Sequence, residues 1–269
     1  DAGALPGVHV CGVDVHIGSQ ITDLKPFEAA FKKVAGLVET LRADGFDIER
    51  VDVGGGLGVP YQEGSAPPPD PADYAAMVRR VAEPLNVQLI FEPGRMIVAN
   101  AGILVAKVIY DKKGDARRFL IVDAAMNDLI RPTLYDAYHE IKPVREATDK
   151  NPLVAYDVVG PVCETGDKFA TERRLPEQEA GELVAFMSAG AYGAVQACQY
   201  NTRPLAPEVM VKGDAFSIVR RRPSLDEILA LEASPPWLSN DADDALRGAA
   251  SEASAQEPSV EKPIAASNA

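Results

Sequence analysis

The sequence is poor in cysteine and in basic residues, and it has no long apolar run. Its three cysteines, Cys11, Cys163 and Cys198, are odd in number and widely spaced, which argues against a disulfide framework and favours a reducing cytoplasm. No apolar run approaches the roughly 18 residues of a membrane-spanning helix, and no basic and then apolar signal segment is present. We therefore expect a cytoplasmic protein without a membrane partner.

The charge balance is acidic. The 27 Lys and Arg residues are outnumbered by 40 Asp and Glu residues, which gives a formal net charge of −13. Because such a chain repels phosphate backbones, nucleic acid is not an expected partner. The length of 269 residues and the hydrophobic content of 46% suffice for one large or two medium domains.

The first part of the chain alternates between strand and helix patterns. Apolar runs predict strands at Val8–Val15, Ile48–Val53 and Gln88–Phe91. Between them, Pro26 suits the first turn of one helix and Asp70 suits the N-cap of another. This alternation implies right-handed βαβ units and a parallel sheet. The last run is unbroken after its first residue, so we expect that strand to be buried on both faces.

From about residue 100 the pattern changes to strand-like runs separated by polar turns. The runs are Ile103–Ile109, Phe119–Val122, Leu153–Val159, Glu182–Met187 and Glu208–Val219. We interpret them as an antiparallel β-barrel domain. The predicted fold class is therefore α/β followed by all-β.

The α/β part is too short for a whole TIM-type barrel, which takes roughly 250 residues. It matches about the last three βα units of such a barrel. Since no methionine begins the sequence, we expect a C-terminal portion of a longer chain, and a small three-stranded α/β domain is the alternative. The predicted segments are a partial barrel over 1–98, a β-barrel domain over 99–225, a short helix over 226–237 and a disordered acidic tail over 238–269.

Two consecutive predicted strands end in glycine turns, Gly54–Gly58 and Pro93-Gly94. Glycines let backbone N–H groups approach a phosphate, and the loops after the last two strands of TIM barrels commonly build a phosphate site. The alternative is a pair of tight turns. Glu92 and Arg95 flank the second turn, where α/β folds place their chemistry, although a surface ion pair would show the same spacing.

Two further positions carry residues suited to proton transfer. His16 stands at a predicted strand end, where it could stack on a ring or move a proton, and a structural role is the alternative. Cys163-Glu164 follows a strand and a Gly-Pro turn and suits a general acid site. The alternative for Cys163 is a small buried residue.

Three more residues suit ligand binding. Arg131 and Tyr135 share a face if a helical turn forms there, and an Arg suits a carboxylate substrate. A solvated surface turn is the alternative. Tyr192 follows a predicted strand and could donate to a phosphate or simply pack.

Together, six motifs resemble in kind and order those of the diaminopimelate decarboxylases, a family of fold-III pyridoxal-phosphate enzymes related to ornithine and arginine decarboxylases. The motifs are His16-Ile-Gly-Ser-Gln20, Gly54–Gly58, Glu92-Pro-Gly-Arg95, Asn127-Asp-Leu-Ile-Arg-Pro132 with Tyr135, Cys163-Glu-Thr-Gly-Asp167 and Gly190-Ala-Tyr192. The resemblance implies a TIM-type barrel followed by a β-barrel domain, with pyridoxal 5'-phosphate as cofactor. It also implies decarboxylation of meso-2,6-diaminopimelate to L-lysine and CO₂, the last step of lysine biosynthesis.

The resemblance assigns nine residues to the cofactor. They are His16, Ser19, Gly55, Gly56, Glu92, Pro93, Gly94, Arg95 and Tyr192. Among them, His16 would stack on the pyridine ring and Glu92 would keep the pyridine nitrogen protonated. Gly56, Gly94 and Tyr192 would hold the phosphate.

The resemblance also assigns the substrate and the acid. Arg95, Arg131, Tyr135 and Tyr192 would bind the distal amino-acid end of the substrate, and Glu164 would contact its distal amine. In addition to His16, Cys163 is the expected catalytic residue: it would reach into the partner subunit's site and protonate the carbon that loses CO₂. The implied partner is a second copy, in a homodimer with shared active sites.

One departure from the family pattern concerns the lysine that links covalently to the cofactor. The family carries it in a Tyr-Ala-Val-Lys-Ala-like motif at the end of the first barrel strand, and no such motif occurs in this sequence. We therefore expect the chain by itself to be inactive. The alternatives are a non-catalytic homologue that regulates a decarboxylase partner and a decarboxylase of the same fold for ornithine or arginine.

Overall fold

The computed structural model describes residues 2–65, 67–145 and 152–235. Contacts divide the chain into two compact units, Asp1–Arg221 and Arg222–Ala269. In the first unit, a parallel sheet with two long helices is followed by a larger sheet and a hairpin. The predicted change from α/β to all-β is confirmed.

The α/β part consists of three short strands and two helices. They are β1 (Gly12–Asp14), α1 (Leu24–Ala43), β2 (Arg50–Asp52), α2 (Pro71–Ala82) and β3 (Gln88–Ile90). All strand pairs are parallel, in the order β1-β2-β3, so the predicted parallel sheet is confirmed.

Local signals in the sequence set the limits of both helices. The Asp23 carboxylate accepts the Lys25 N–H at 3.0 Å, and the Asp70 carboxylate accepts the Ala72 N–H at 2.7 Å, so each acid caps a helix. After α1, Gly45 adopts a φ of +92°, a left-handed conformation that glycine takes without steric cost.

The predicted burial of the last α/β strand on both faces is wrong. Leu89 packs on the α/β core together with the strand residues paired to it, whereas Ile90 and Phe91 are 40% and 43% exposed. Side chains alternate between the faces of a strand. The core packed against α1 and α2 takes the face of Leu89, so Ile90 on the other face is exposed in the described part of the chain. Phe91 lies beyond the end of β3, and its ring contacts that of Tyr74 at 6.3 Å between centres.

The larger sheet has six strands, in the order β6-β9-β4-β5-β7-β8. Their bounds are β4 Leu104–Lys113, β5 Arg118–Val122, β6 Ile141–Pro143, β7 Leu153–Val159, β8 Lys168–Pro176 and β9 Leu183–Phe186. The prediction of a purely antiparallel domain is wrong at one pair, because β5 and β7 are parallel. The segment between them crosses over through β6 and a short helix, which returns the chain in the same direction.

Strands β6 and β8 had no counterpart among the predicted runs. β6 has three residues and includes Pro143, and β8 is rich in charged residues, so neither shows an apolar pattern. The predicted run Glu208–Val219 is a hairpin of β10 (Glu208–Lys212) and β11 (Ala215–Arg220), because Gly213 turns the chain with a φ of +61°.

Two one-turn helices lie within the first unit, α3 (Gly94–Val98) and α4 (Arg131–Tyr135). The second unit contains α5 (Leu225–Leu229), whose Ser224 and Glu227 form a reciprocal capping box. This helix is shorter than the predicted one. The predicted tail over 238–269 lies outside the described residues.

Two main cores hold the first unit. One is built by α1, α2 and the parallel strands, and the other by the six-stranded sheet. The proposed domain boundary near residue 98 remains a prediction, consistent with these separate cores. Over the described ranges, every helix is too short or too polar to cross a membrane.

Candidate functional site at the strand ends

The glycine turn after β2 lies against the turns that follow its two neighbours. A Cβ on Gly55 would come closer than 3.0 Å to the Glu92 carbonyl oxygen, and a Cβ on Gly56 would come as close to that of Gly18. Gly56 also has a φ of +101°. Glycine is therefore required here by close backbone approach, and the three strand ends meet at one place.

His16 and Glu92 lie beside this turn. The Gly55 N–H donates to His16 Nδ1 at 3.4 Å, and the Glu92 N–H donates to the Gly54 carbonyl at 2.9 Å. Carboxylate oxygens of Asp14, Asp52 and Glu92 lie within 4.8 Å of one another. This cluster of negative charge favours a cationic group, such as a protonated ring nitrogen, at the strand ends.

Arg95 projects from α3, directly after the Pro93-Gly94 turn. Its guanidinium donates to Ser19 Oγ at 2.9 Å and to the Tyr61 hydroxyl, and it lies 4.9 Å from the centre of the Tyr192 ring. Its Nε is buried without a hydrogen-bond partner in the described structure. A buried N–H of this kind is costly unless a ligand or water pairs with it.

Arg131 begins α4 and is only 7% exposed. Its Nη1 donates to His139 Nε2 at 2.8 Å, and its guanidinium lies 4.7 Å from the centre of the Tyr61 ring. Burial is the main cause that lowers the pKa of Arg131, and the nearby charge of Arg95 lowers it further. A lowered pKa means that the surroundings of the free site disfavour this cation.

No carboxylate within the described ranges forms an ion pair with either arginine. Buried cations are normally paired, and paired guanidinium groups match a carboxylate or a phosphate. Buried Arg131 and half-buried Arg95 are therefore suited to binding an anionic group, and we refer to the pair as the anion receptor. The predicted alternatives of a surface ion pair for Arg95 and a solvated turn for Arg131 do not describe these contacts.

The Gly190-Ala-Tyr192 turn brings Tyr192 to the same place. A Cβ on Gly190 would come closer than 3.0 Å to the Val98 carbonyl, so this turn packs directly on the C-terminal end of α3. Tyr192 itself has a φ of +58°, an uncommon conformation for a non-glycine residue. Such strain is often found at ligand-binding positions.

Gly94 uses its N–H internally, since it donates to the Glu92 carbonyl at 2.8 Å. Open space surrounds the position of its missing Cβ. Pro93 precedes it as the residue before α3. Gly94 therefore offers room for a ligand, and its own N–H is already engaged.

The Cys163-Glu164 loop follows β7 and lies next to α4. Both residues are exposed, Cys163 is a free thiol, and no hydrogen bond joins them to Arg95 or Arg131 in the described structure. The loop is tied to α4, because Thr133 Oγ1 donates to the Gly166 carbonyl at 2.6 Å. The alternative that Cys163 is a small buried residue is thus wrong, and its catalytic role remains a prediction. The substrate-binding role of Tyr135, which is 62% exposed, also remains a prediction.

Sequence reasoning missed Tyr61, His139 and Asp167. Tyr61 follows the glycine run by three positions, and His139 is one of only three histidines, so both offered weak signals. Asp167 accepts the N–H groups of Met126 and Val162, both at 2.7 Å. A buried acid with backbone partners has no sequence signature.

Glycine turns, Glu92 and Arg95 lie at the carboxyl ends of the parallel strands, which is where α/β proteins commonly bind small molecules. The sequence profile described as "Pyridoxal-dependent decarboxylase, C-terminal sheet domain" matches residues 17–190. The chain belongs to the pyridoxal-dependent decarboxylase family.

Named relatives share sequence and fold with it. The chain is 50% identical over 233 residues to the diaminopimelate decarboxylase of Zymomonas mobilis, covering 87% of this chain and 55% of the relative. It superposes with a TM-score of 0.78 and 40% identity on diaminopimelate decarboxylase from Helicobacter pylori complexed with L-lysine, over 86% of this chain and 56% of that one. An arginine decarboxylase from Paramecium bursaria Chlorella virus, 22% identical with a TM-score of 0.65 over 72% of this chain and 53% of that one, shares the fold. The chain thus spans about half the length of these relatives.

The site fits pyridoxal 5'-phosphate in its chemistry. The acidic cluster at Glu92 suits a protonated pyridine nitrogen, His16 lies beside it, and the turns at Gly55 and Gly56 bring the backbone close. A lysine at these strand ends is absent from the described ranges. The lysines of the described ranges lie elsewhere. They are Lys25, Lys32 and Lys33 on α1, Lys107, Lys112 and Lys113 on β4, Lys142 on β6, Lys168 on β8 and Lys212 on β10.

Proposed function

We propose that this chain provides part of a pyridoxal-phosphate enzyme that decarboxylates meso-2,6-diaminopimelate to L-lysine and CO₂. The observation that carries the proposal is the pair of arginines without a carboxylate partner in the described ranges, Arg95 and Arg131, beside the Glu92 turn. Diaminopimelate has a second amino-acid end that does not react, whereas ornithine ends in an amine. A receptor for an anion therefore favours a substrate with a distal carboxylate.

Substrate binding follows from these contacts. Arg95 and Arg131 hold the distal carboxylate from two sides, with Tyr192 and Tyr135 at its margin. Glu164 contacts the distal amine from the loop that a second copy contributes to the site. Because both guanidinium groups are already oriented by hydrogen bonds, little side-chain freedom is lost on binding. The distal end is thus fixed, and the reacting end is directed to the cofactor.

The cofactor is held by His16, Ser19, Gly55, Gly56, Glu92, Pro93, Gly94, Arg95 and Tyr192. When bound, pyridoxal phosphate supplies the electron sink that accepts the electron pair left by departing CO₂. Glu92 keeps the ring nitrogen protonated, and His16 packs on the ring. The covalent link to a lysine is provided outside the described residues.

Cys163 is the proposed acid that returns a proton to the substrate carbon. The loop that carries it is exposed, so we assign it to the site of a second copy, in a homodimer with shared sites. The free state of Cys11, Cys163 and Cys198 is consistent with a reducing cytoplasm.

The test uses the protein produced from its complete natural reading frame, with pyridoxal phosphate. Incubation with meso-diaminopimelate should release CO₂ and lysine in equal amounts, and Arg131→Leu should abolish most of this turnover. Preferred turnover of ornithine or arginine would overturn the specificity.

A second candidate is a non-catalytic homologue that binds and regulates a decarboxylase. The lack of a lysine at the strand ends within the described ranges favours it. The complete reading frame separates the two candidates, because the enzyme requires a cofactor-linking lysine encoded elsewhere in that frame.

A further inference from the structure

Tyr61 lies between the two arginines of the anion receptor. Its hydroxyl accepts a hydrogen bond from Arg95, and its ring faces the guanidinium of Arg131 with 4.7 Å between centre and Cζ. The aromatic face carries negative electrostatic potential, which attracts a cation. One side chain therefore makes a polar contact with Arg95 and a cation–π contact with Arg131.

His139 contacts both the ring of Tyr61 and the guanidinium of Arg131. It is 1% exposed, and its ring meets that of Tyr61 at 5.2 Å between centres and an interplanar angle of 80°. Nε2 lies 2.8 Å from Arg131 Nη1, and Nδ1 lies 2.9 Å from the Met187 carbonyl. Since the guanidinium only donates and the carbonyl only accepts, His139 must be neutral, with the proton on Nδ1.

The charges around His139 agree with this state. The guanidinium groups of Arg131, Arg95 and Arg173 face it, and burial is the largest cause that lowers the pKa of His139, to about 4. The Arg173 Nη1 donates to the His139 carbonyl at 2.7 Å. The ring therefore stays an acceptor for Arg131 through the neutral pH range.

These contacts hold Arg95 and Arg131 in place despite the repulsion between their charges. Two guanidinium groups held near each other repel, and the carboxylates of the described ranges pair with neither. Without hydrogen-bond acceptors beside them, the flexible side chains of Arg95 and Arg131 would turn away from each other, toward solvent or a carboxylate. Three neutral acceptors, on Ser19, Tyr61 and His139, hold both cations together with the rings of Tyr61 and Tyr192. None of these groups neutralises the arginines, which leaves their charge available for a ligand.

We propose that Tyr61 and His139 are positioning residues that hold Arg95 and Arg131 as a two-sided receptor for the carboxylate of the substrate that does not react. The proposal deepens the proposed function and rests on it for the identity of that carboxylate. Neither residue touches the reacting carbon. Their loss therefore weakens binding of the distal end and leaves the chemical step largely intact.

The test compares Tyr61→Phe, His139→Phe and His139→Gln in the protein from its complete natural reading frame. Phe at 61 keeps the ring and removes the acceptor for Arg95. Phe at 139 fills the space and removes the acceptor for Arg131, whereas Gln keeps one acceptor and one donor. His9→Gln is the matched control, because His9 is exposed and makes no described contact with the receptor.

We expect the KM for meso-diaminopimelate to rise about tenfold in Tyr61→Phe and His139→Phe, as for a lost hydrogen bond to a charged group. The kcat should change by less than about twofold, and His139→Gln should recover most of the KM. Calorimetric affinity for L-lysine, whose carboxylate is the one retained, should fall in parallel. This second readout does not depend on turnover.

The outcomes separate the two proposals. If the unmodified protein binds L-lysine and releases no CO₂ from diaminopimelate, the proposed reaction fails while the affinities of the variants still test the positioning role. Unchanged KM and L-lysine affinity in folded Tyr61→Phe and His139→Phe would overturn that role. A fall in kcat alone, without a change in KM or affinity, would overturn it as well.

Discussion

The Asp167 carboxylate accepts the backbone N–H of Val162 at 2.7 Å. Its other oxygen accepts the Met126 N–H at the same distance, so one buried acid joins the start of the Cys163 loop to the segment before α4. Burial is the main cause that raises the pKa of Asp167, and the two backbone hydrogen bonds oppose that rise. The loop carrying the proposed acid is therefore organised by a carboxylate that does no chemistry.

Asp167→Asn should destabilise the protein by about 1–3 kcal/mol at neutral pH. The amide NH₂ must face one of the two backbone N–H donors, which leaves buried donors unsatisfied. Urea unfolding at pH 7 measures the change. The pKa of Asp167 is higher in the folded protein than in the unfolded chain. Its contribution to the free energy of unfolding therefore declines as the pH rises from the unfolded to the folded pKa. Asp167→Asn should remove this pH dependence. Equal stability of the variant would refute the proposed role of these hydrogen bonds.

Gly55→Ala should weaken the site, whereas Gly36→Ala should not. The new Cβ at 55 would collide with the Glu92 carbonyl, which is backbone and yields only if the strand ends separate, at a cost of about 1–3 kcal/mol. Gly36 lies within α1 with open space around it, so Ala there should stabilise by about 0.5–1 kcal/mol. Thermal melts and pyridoxal-phosphate titration check both. A loss of cofactor affinity in Gly36→Ala as large as in Gly55→Ala would contradict the assignment.

The sequence was sufficient to predict features that depend on local pattern. The helix start near Pro26, the cap at Asp70 and the parallel pairing of three strands follow from periodicity and turn residues, whereas the cap at Asp23 was not predicted. The glycine runs also located the strand-end turns, since a run such as Gly54–Gly58 predicts either a tight turn or close backbone approach.

Features that depend on tertiary context were missed. Charged β8 forms because its neighbour β7 pairs with it, and Ile90 is exposed because the described core lies on one face of its strand. Two of the residues that give His139 its role, Tyr61 and Met187, lie far from it along the chain. No local pattern marks a histidine that must stay neutral between an arginine and a carbonyl.

Arg131→Lys should reduce kcat/KM for diaminopimelate about 10- to 100-fold despite the retained charge. Lysine presents a single ammonium group, which lacks the planar set of donors that engages His139 and a carboxylate together. Steady-state kinetics on the protein from the complete reading frame provide the measurement. Lys142→Arg is a suitable control, because Lys142 pairs with Glu63 on the surface. If Arg131→Lys showed wild-type kinetics, a positive charge at this position would be sufficient to bind the substrate carboxylate.

The unfolding free energy should fall as pH decreases from about 6.5 toward about 4, in part because of His139. Its folded pKa is lowered to about 4 from the model-peptide value of 6.5, so in this window the unfolded chain binds a proton that the folded chain excludes. By linkage, stability is then lost with falling pH, by on the order of 3 kcal/mol from this group. Urea titrations at several pH values measure it. His139→Gln should show a smaller slope, and an identical slope would refute the assignment.

The 269-residue chain alone should take up no pyridoxal phosphate as a covalent adduct at one particular lysine. Its described lysines are solvent-exposed and lie on α1, β4, β6, β8 and β10, rather than in the turns that follow β1, β2 and β3. Borohydride reduction with the cofactor, followed by peptide mass spectrometry, should reveal at most scattered labelling. The protein from the complete reading frame, treated in the same way, should be labelled at a single lysine outside these ranges. Stoichiometric labelling of one lysine within residues 2–235 would show that the strand-end site acquires its covalent link from this chain.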